Sequence, residues 1–217
     1  MAMHLHDSNR GAEGQRGIAL PIVLVFLLII TIAATFGVRR ATLNEGITRN
    51  QLDYEVARQA AEAALRDAER DLVLVTSPAA ATCARAGDRP LLNRTGDPSF
   101  NTSCVRGQCR FDLAYYSTSD YTASPPTNPQ PWWPTTKLGL WNDTGVDPAS
   151  SCTFNGAVPI GTFTGNPKVS GVKRQPEYLI EYLKRGDSTV FRITARGFGA
   201  DINTETVVQS YFKPPLE

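Results

Sequence analysis

The run from Ile18 to Val38 contains no charged side chain, and no other stretch of the chain limits its fold as strongly. A bilayer core of about 30 Å is crossed by about 20 apolar residues in a helix, so the length fits a membrane span. Its left edge is abrupt: a polar leader ends in Gln15-Arg16-Gly17, and Ile18-Ala19-Leu20-Pro21 follows at once. A secretory signal has a shorter apolar region and ends near small residues at a cleavage site. Here the run ends in Gly37-Val38-Arg39-Arg40 and passes into more helical pattern, so it is predicted to be retained. The edge itself predicts a cut after Gly17, which leaves Ile18 at the tip of a long helix. Residues 1–17 lack periodicity and read as a peptidase-accessible tail. Pro21 fits the first turn of a helix, where a missing N–H costs little.

With 217 residues and a formal net charge of +1, the chain has neither a basic excess for nucleic acid nor an acidic tail. The four cysteines, Cys83, Cys104, Cys109 and Cys152, all follow the apolar run. Their spacing suits neither a metal site nor a redox motif, and the two histidines, His4 and His6, lie in the leader. An even count beyond a span reads as two disulfides with three pairings open. The preferred pairing is a local Cys104–Cys109 loop with Cys83–Cys152. Arg39, Arg40 and Arg49 follow the span, whereas Arg10 and Arg16 precede it, which runs against the usual orientation rule. The cysteines outweigh that count, so the C-terminal part is expected on the far, oxidising side of the membrane.

Past the span, Leu43, Ile47, Tyr54, Ala57, Ala61, Leu65, Ala68, Leu72 and Val75 recur at helical spacing. Ala57–Ala68 is alanine-rich, and Glu62 and Arg66 stand i,i+4 on the polar side. Ser77-Pro78 is the expected stop. One helix of roughly 60 residues, about 90 Å long, would result, with Gly37 and Gly46 as places to bend. From Ala79 to about Pro176, Gly, Pro, Asn, Thr and Ser dominate. The end of the chain reads as three strands, Glu177–Lys184, Thr189–Arg196 and Glu205–Phe212, rich in β-branched and aromatic residues. Short links make them an antiparallel meander. Phe191, Ile193 and Ala195 fall on one face, and Arg192, Thr194 and Arg196 on the other. The apolar face is expected to pack on the helix stripe of Leu52–Val75.

The order of leader, abrupt apolar helix, amphipathic continuation and disulfide-bearing antiparallel sheet resembles the type IV pilins and type II secretion pseudopilins. Gln15-Arg16-Gly17-Ile18-Ala19-Leu20-Pro21 carries the likeness at the start. Within that superfamily the chain is most similar to PilX-type minor pilins. They share Arg-Gly-x-Ala-Leu, a helix segment like Gln59–Glu69, and a terminal strand like Arg192–Gly199. The resemblance implies an α+β pilin fold: a long N-terminal helix, half transmembrane and half amphipathic, packed on a C-terminal antiparallel sheet. The domains it predicts are a leader (1–17), an assembly half (18–38), an amphipathic half (39–77) and a disulfide-containing β-rich head (78–217). It also implies cleavage between Gly17 and Ile18 by prepilin peptidase and N-methylation of Ile18. Partners expected from the family are other minor pilins, the major pilin, the inner-membrane assembly platform and a PilY-class tip adhesin. Most major pilins carry a glutamate at the fifth mature position, which here is Ile22. A subunit without that carboxylate cannot pair with a neighbour's N-terminal amine, which suits the filament tip. The implied role is a minor pilin that primes assembly at or near the tip and supports adhesion and twitching motility. A type II secretion minor pseudopilin and a signal-anchored periplasmic binding domain that never polymerises are the alternatives.

Trp132 and Trp133, set between prolines in Ser124–Pro134, form a candidate partner patch. Against it stands core packing, the commoner fate of tryptophans in a small domain, Trp141 included. No cofactor or metal is expected. There is no histidine after His6, no Gly-x-Ser-x-Gly, no phosphate-binding glycine loop and no metal-spaced acidic cluster. Asp143 and Asp147 lack EF-hand spacing and read as solvated loop carboxylates. The chain is therefore expected not to be an enzyme.

Overall fold

The computed structural model describes residues 19–85, 100–101, 103–110, 140–142, 148–185 and 188–213. The chain divides into two compact units, with the boundary between Arg49 and Asn50. A single helix, α1 (Ala19–Val73), supplies the first unit and the start of the second, and continues unbroken through Gly37 and Gly46. Its last backbone bond runs from the Leu74 N–H to the Arg70 carbonyl at 3.0 Å. The helix thus stops four residues short of Ser77-Pro78. Instead of extending it, Ser77 turns its hydroxyl to accept the Arg85 N–H at 3.1 Å.

In the second unit the three long strands are β3 (Glu177–Arg185), β4 (Ser188–Phe198) and β5 (Glu205–Phe212), paired antiparallel in chain order. Two short strands complete the sheet against β3. They are β1 (Gln108–Cys109), which runs parallel to it, and β2 (Val158–Pro159), which runs antiparallel. The sheet is therefore mixed, not purely antiparallel. A two-residue strand carries no sequence periodicity, so β1 is set by the Cys104–Cys109 loop and not by propensity.

Register explains the core. Tyr178 pairs with Ala195, Ile180 with Ile193, and Tyr182 with Phe191, so these side chains share one face. That face packs on Ala64, Ala68 and Leu72 of α1, with Phe163, Val158, Cys83 and Phe100 closing the cluster. Alanines let the backbones approach closely. At Gly197 a methyl group would overlap the Ala57 carbonyl and the Ala61 amide and lie 2.8 Å from the Ala61 Cα. The stripe on α1 differs from the expected one. Ala57, Ala60, Ala61, Ala64, Asp67, Ala68, Asp71 and Leu72 are buried, whereas Tyr54 and Val75, both expected on it, are exposed. On the polar side Glu62 binds Arg58 at 3.1 Å more closely than Arg66 at 3.9 Å.

The opposite face of the sheet, expected to be the polar one, is covered as well. Leu179 there joins Cys104, Cys109, Leu140, Trp141 and Ala157 in a second buried cluster. Arg192, Thr194 and Arg196 lie beneath this layer, and both arginines are paired across the strands. Arg192 Nε donates to Glu181 at 2.8 Å, and Arg196 Nη2 donates to Glu177 at 2.6 Å. Buried charge survives only when paired and hydrogen-bonded, and the cross-strand register supplies both partners. The guanidinium of Arg196 also lies 5.1 Å from the Trp141 ring.

Candidate assembly interface

In the first unit α1 offers an apolar surface on all sides. From Leu20 to Phe36 every large hydrophobic side chain of the described residues is exposed, among them Ile22 at 50% and Phe26 at 62%. The most apolar window of α1 has a mean hydropathy of 2.8 and none of it is buried. A helix apolar all round needs lipid or other helices for its surroundings. The hydroxyls in this stretch fit such surroundings. Thr35 donates to the Ile32 carbonyl at 2.7 Å and Thr31 to that of Leu27, so neither presents an open polar group. Ile22 sits in this apolar surface, and the first turn of α1 contains no acidic residue. Gly17 and Ile18, the expected cleavage and methylation positions, lie outside the described residues.

In the second unit the head is fastened to α1 by three aspartates, none of them singled out by sequence, and by Glu69, which accepts the Ser210 hydroxyl of β5 at 3.3 Å. Asp53 accepts the N–H groups of Ala200 at 2.5 Å and Asp201 at 3.3 Å, which holds the β4–β5 connection on the helix. The Thr204 side chain, and then these two amides, draw its pKa below 3.8. Asp67 accepts Gly161 N–H at 2.8 Å, Asn166 Nδ2 at 2.5 Å and the Thr164 hydroxyl. Burial raises its pKa despite those three bonds, with the nearby Asp71 adding to the effect. Asp71 receives two bonds from Arg85, at 2.7 and 2.6 Å, and one from the Tyr178 hydroxyl at 2.9 Å. Burial, and then the negative charge of Asp71, push the Tyr178 hydroxyl well above 10.0. Arg85 in turn stacks 3.9 Å from the Phe163 ring centroid. A signal for two of these carboxylates does exist. Asp67 and Asp71 each stand seven residues after a buried alanine, Ala60 and Ala64, and so share the inward face.

The cysteines pair as preferred, Cys83 with Cys152 and Cys104 with Cys109. The first bridge ties the segment after α1 to the loop before β2, and the second closes the turn that presents β1. Trp141 is 4% exposed, which places it in the core. Trp132 and Trp133 lie outside the described residues. Among the described residues no group of three or more His, Cys, Asp or Glu side chains is placed to hold a metal ion. An open hollow of about 440 Å³ is lined by Val105, Arg106, Thr153, Phe154 and Asn155, a set without a nucleophile–base pair. What the geometry offers is surface for assembly: an uncovered apolar helix, and a head packed on and hydrogen-bonded to its own helix segment.

Two family matches divide the chain between them. The family described as "Type IV pilus assembly protein PilX C-term" matches residues 79–214, and "PilX N-terminal" matches residues 16–66. The chain belongs to the PilX family. It is a minor pilin of type IV pilus assembly, and its relatives by this match are structural subunits. The N-terminal match takes in Gly17, Ile18 and Ile22 together with most of the alanine face, so one PilX segment holds both the apolar surface and the start of the head. The C-terminal match includes residues 79–176, a region with few of the motifs that carry the resemblance. No curated protein and no solved structure matches the chain.

Proposed function

We propose that this PilX-family chain is a minor pilin that primes type IV pilus assembly and sits at or near the filament tip. The observation that carries the reading is the uncovered apolar surface of α1 with Ile22, not a carboxylate, at the fifth position after Gly17. In the reading, prepilin peptidase cuts after Gly17 and methylates Ile18. The apolar helix is then held in the inner membrane with the head in the periplasm. On extraction by the assembly platform it exchanges lipid for the helices of other minor pilins and the major pilin. With Ile22 in place of a carboxylate, the chain cannot pair with a neighbouring subunit's N-terminal amine, so a place with no subunit beyond it suits the chain. At the tip the head would meet a PilY-class adhesin, with Trp132 and Trp133 as a candidate contact, and so support adhesion and twitching motility. The matching family is one of pilus assembly, which favours the pilus over type II secretion.

Two measurements test this. Co-expression with a prepilin peptidase should give a mature mass that begins at methylated Ile18. An intact N-terminus would instead indicate a plain signal anchor. Immunogold labelling of purified pili should mark their ends, and even labelling along the shaft would refute the tip placement.

A further inference from the structure

The two edges of the sheet are finished differently. On the outer side of β3, Tyr178 and Ile180 are paired with β2 and β1. The Ile180 N–H reaches the Gly107 carbonyl at 2.8 Å, and Pro159 in β2 has no N–H to offer beyond the sheet. At the other end of the strand order stands β5, paired with β4 alone among the described residues. Parity fixes which of its groups are open. The Gly199 N–H donates to the Thr204 carbonyl at 2.8 Å, so the directly bonded pairs continue as 197 with 206, 195 with 208, 193 with 210 and 191 with 212. The N–H and C=O groups of Glu205, Val207, Gln209 and Tyr211 therefore point away from β4, and no other described strand meets them. Open edges are ordinarily blunted by lysine, proline, a bulge or brevity. β5 has none of these. It is 8 residues long, its register with β4 is unbroken, and its one charged residue, Glu205, is bound to Arg196 at 3.5 Å. On the α1 side, Leu65, Val208 and Phe212 pack at the margin of the main core and remain half-buried.

We propose that the outer edge of β5 accepts an extended strand of another protein, added antiparallel as a further strand of the sheet. The edge sets the chemistry of that strand. Its backbone bonds the open groups of Val207, Gln209 and Tyr211. Alternate apolar side chains, turned to the α1 side, cover Leu65, Val208 and Phe212. The side chains between them are polar, beside the exposed Gln209 and Tyr211. An acidic residue at its start faces the exposed Lys213. A second copy of this chain is the poorer occupant. A twofold that pairs β5 with β5 reverses the α1 segments on the two sheets, whereas copies held in one membrane run the same way. The choice of occupant thus rests on the membrane reading of residues 18–38 in the proposed function, and the open edge does not.

Amide exchange of the full chain in non-ionic micelles, resolved by residue, tests both. In the free chain Val207, Gln209 and Tyr211 should exchange fast, and Thr206, Val208, Ser210 and Phe212 slowly. The probe is a capped peptide that begins with aspartate and then alternates valine with threonine. One form is N-methylated on its valines, which leaves the threonine backbone free to bond β5. The other is N-methylated on its threonines, which blocks that edge. At millimolar concentration the first should slow Val207, Gln209 and Tyr211 by about tenfold or more, and the second should leave them unchanged. Gln209→Pro removes an N–H that β4 does not use. Its Val208 and Ser210 amides should stay slow, and the first peptide should no longer slow Val207 and Tyr211. The proposal is overturned if the outward amides are already slow in the free chain, if the two peptides act alike, or if the first acts equally on folded Gln209→Pro. Slowing that grows with the chain's own concentration would assign the edge to a second copy and overturn the choice of occupant. The membrane reading fails separately, if the full chain does not float with lipid vesicles.

Discussion

Gly197→Ala should separate β4 from α1. The new methyl group meets the backbone of the helix and not a side chain: it overlaps the Ala57 carbonyl and the Ala61 amide and lies 2.8 Å from the Ala61 Cα. Comfortable carbon–carbon contact is about 3.5–4.0 Å, so strand and helix must part by about 1 Å. Neither can relieve the clash by changing a rotamer. Overpacking ordinarily costs about 1–3 kcal/mol. Here the same displacement loosens the seats of Ala57 and Ala61 and pulls Ala200 and Asp201 from Asp53, so a loss of about 3 kcal/mol is expected. The assay is urea unfolding of the full chain in non-ionic micelles, followed by tryptophan fluorescence with Trp141 in the head core as a reporter. Gly46→Ala is the control. A methyl group there meets nothing within 4 Å, so it should strengthen the helix by about 0.5–1 kcal/mol, read as slower amide exchange around residue 46. A Gly197→Ala loss below about 1 kcal/mol would refute the backbone-contact argument.

Other expectations follow from the buried pairs. Arg85→Ala leaves the Asp71 carboxylate buried with Tyr178 as its one donor among the described residues, and should cost about 3–5 kcal/mol in the same unfolding assay. Replacing Cys83 and Cys152 by serine removes a cross-link of sequence separation 69, for which chain entropy gives about 4 kcal/mol, whereas the Cys104–Cys109 pair, of separation 5, should contribute about 2 kcal/mol. A smaller loss from the long loop than from the short one would contradict that account. Asp67 has a raised folded pKa, so the native state holds its proton more tightly than the unfolded chain. That contribution is fully present below the unfolded value and is lost as pH rises through the folded one. Asp67→Asn should therefore flatten the pH dependence of unfolding within that window. An unchanged slope there would count against the assignment. Asp53 has the opposite sign: its pKa is lowered, so its bonds to the β4–β5 connection should fail as pH falls through the folded value. Weaker amide protection at Ala200 and Asp201 in acid would report it.

The sequence made the long helix and the last three strands legible, because each repeats a pattern over many residues. Phe191, Ile193 and Ala195 alternate cleanly, and β4 buries all three. The same alternation misleads for Arg192 and Arg196. A charged residue on alternate positions usually marks the solvent side, but here residues from distant loops, Leu140 and Trp141 among them, roof that face and the register supplies glutamates. Asp67 and Asp71 hide for a related reason. Within an alanine-rich helix they read as solvating groups, and only the arrival of Gly161, Thr164, Asn166 and Arg85 makes their burial tolerable. Those donors lie 14 to 99 residues away in the chain. At the assembly interface Ile22 and the apolar run were visible at once. What no local pattern carried was the set of aspartates that fastens the head to its helix segment.

Those aspartates bear on force. Asp53, Asp67 and Asp71 grip three different loops or strands along about 27 Å of helix. A pull along the helix axis would load these three attachments side by side, together with the Glu69–Ser210 bond and the close backbone seat at Gly197. None would be stripped before the next was strained, as happens when a strand is peeled from its end. Resistance in that direction is a matter of unfolding rate and not of equilibrium stability. A head fixed in this way should yield late under shear and early under a force that lifts β5 away from β4. Pulling the chain between residue 50 and residue 213, against pulling across the β4–β5 edge, would measure that difference in a single molecule.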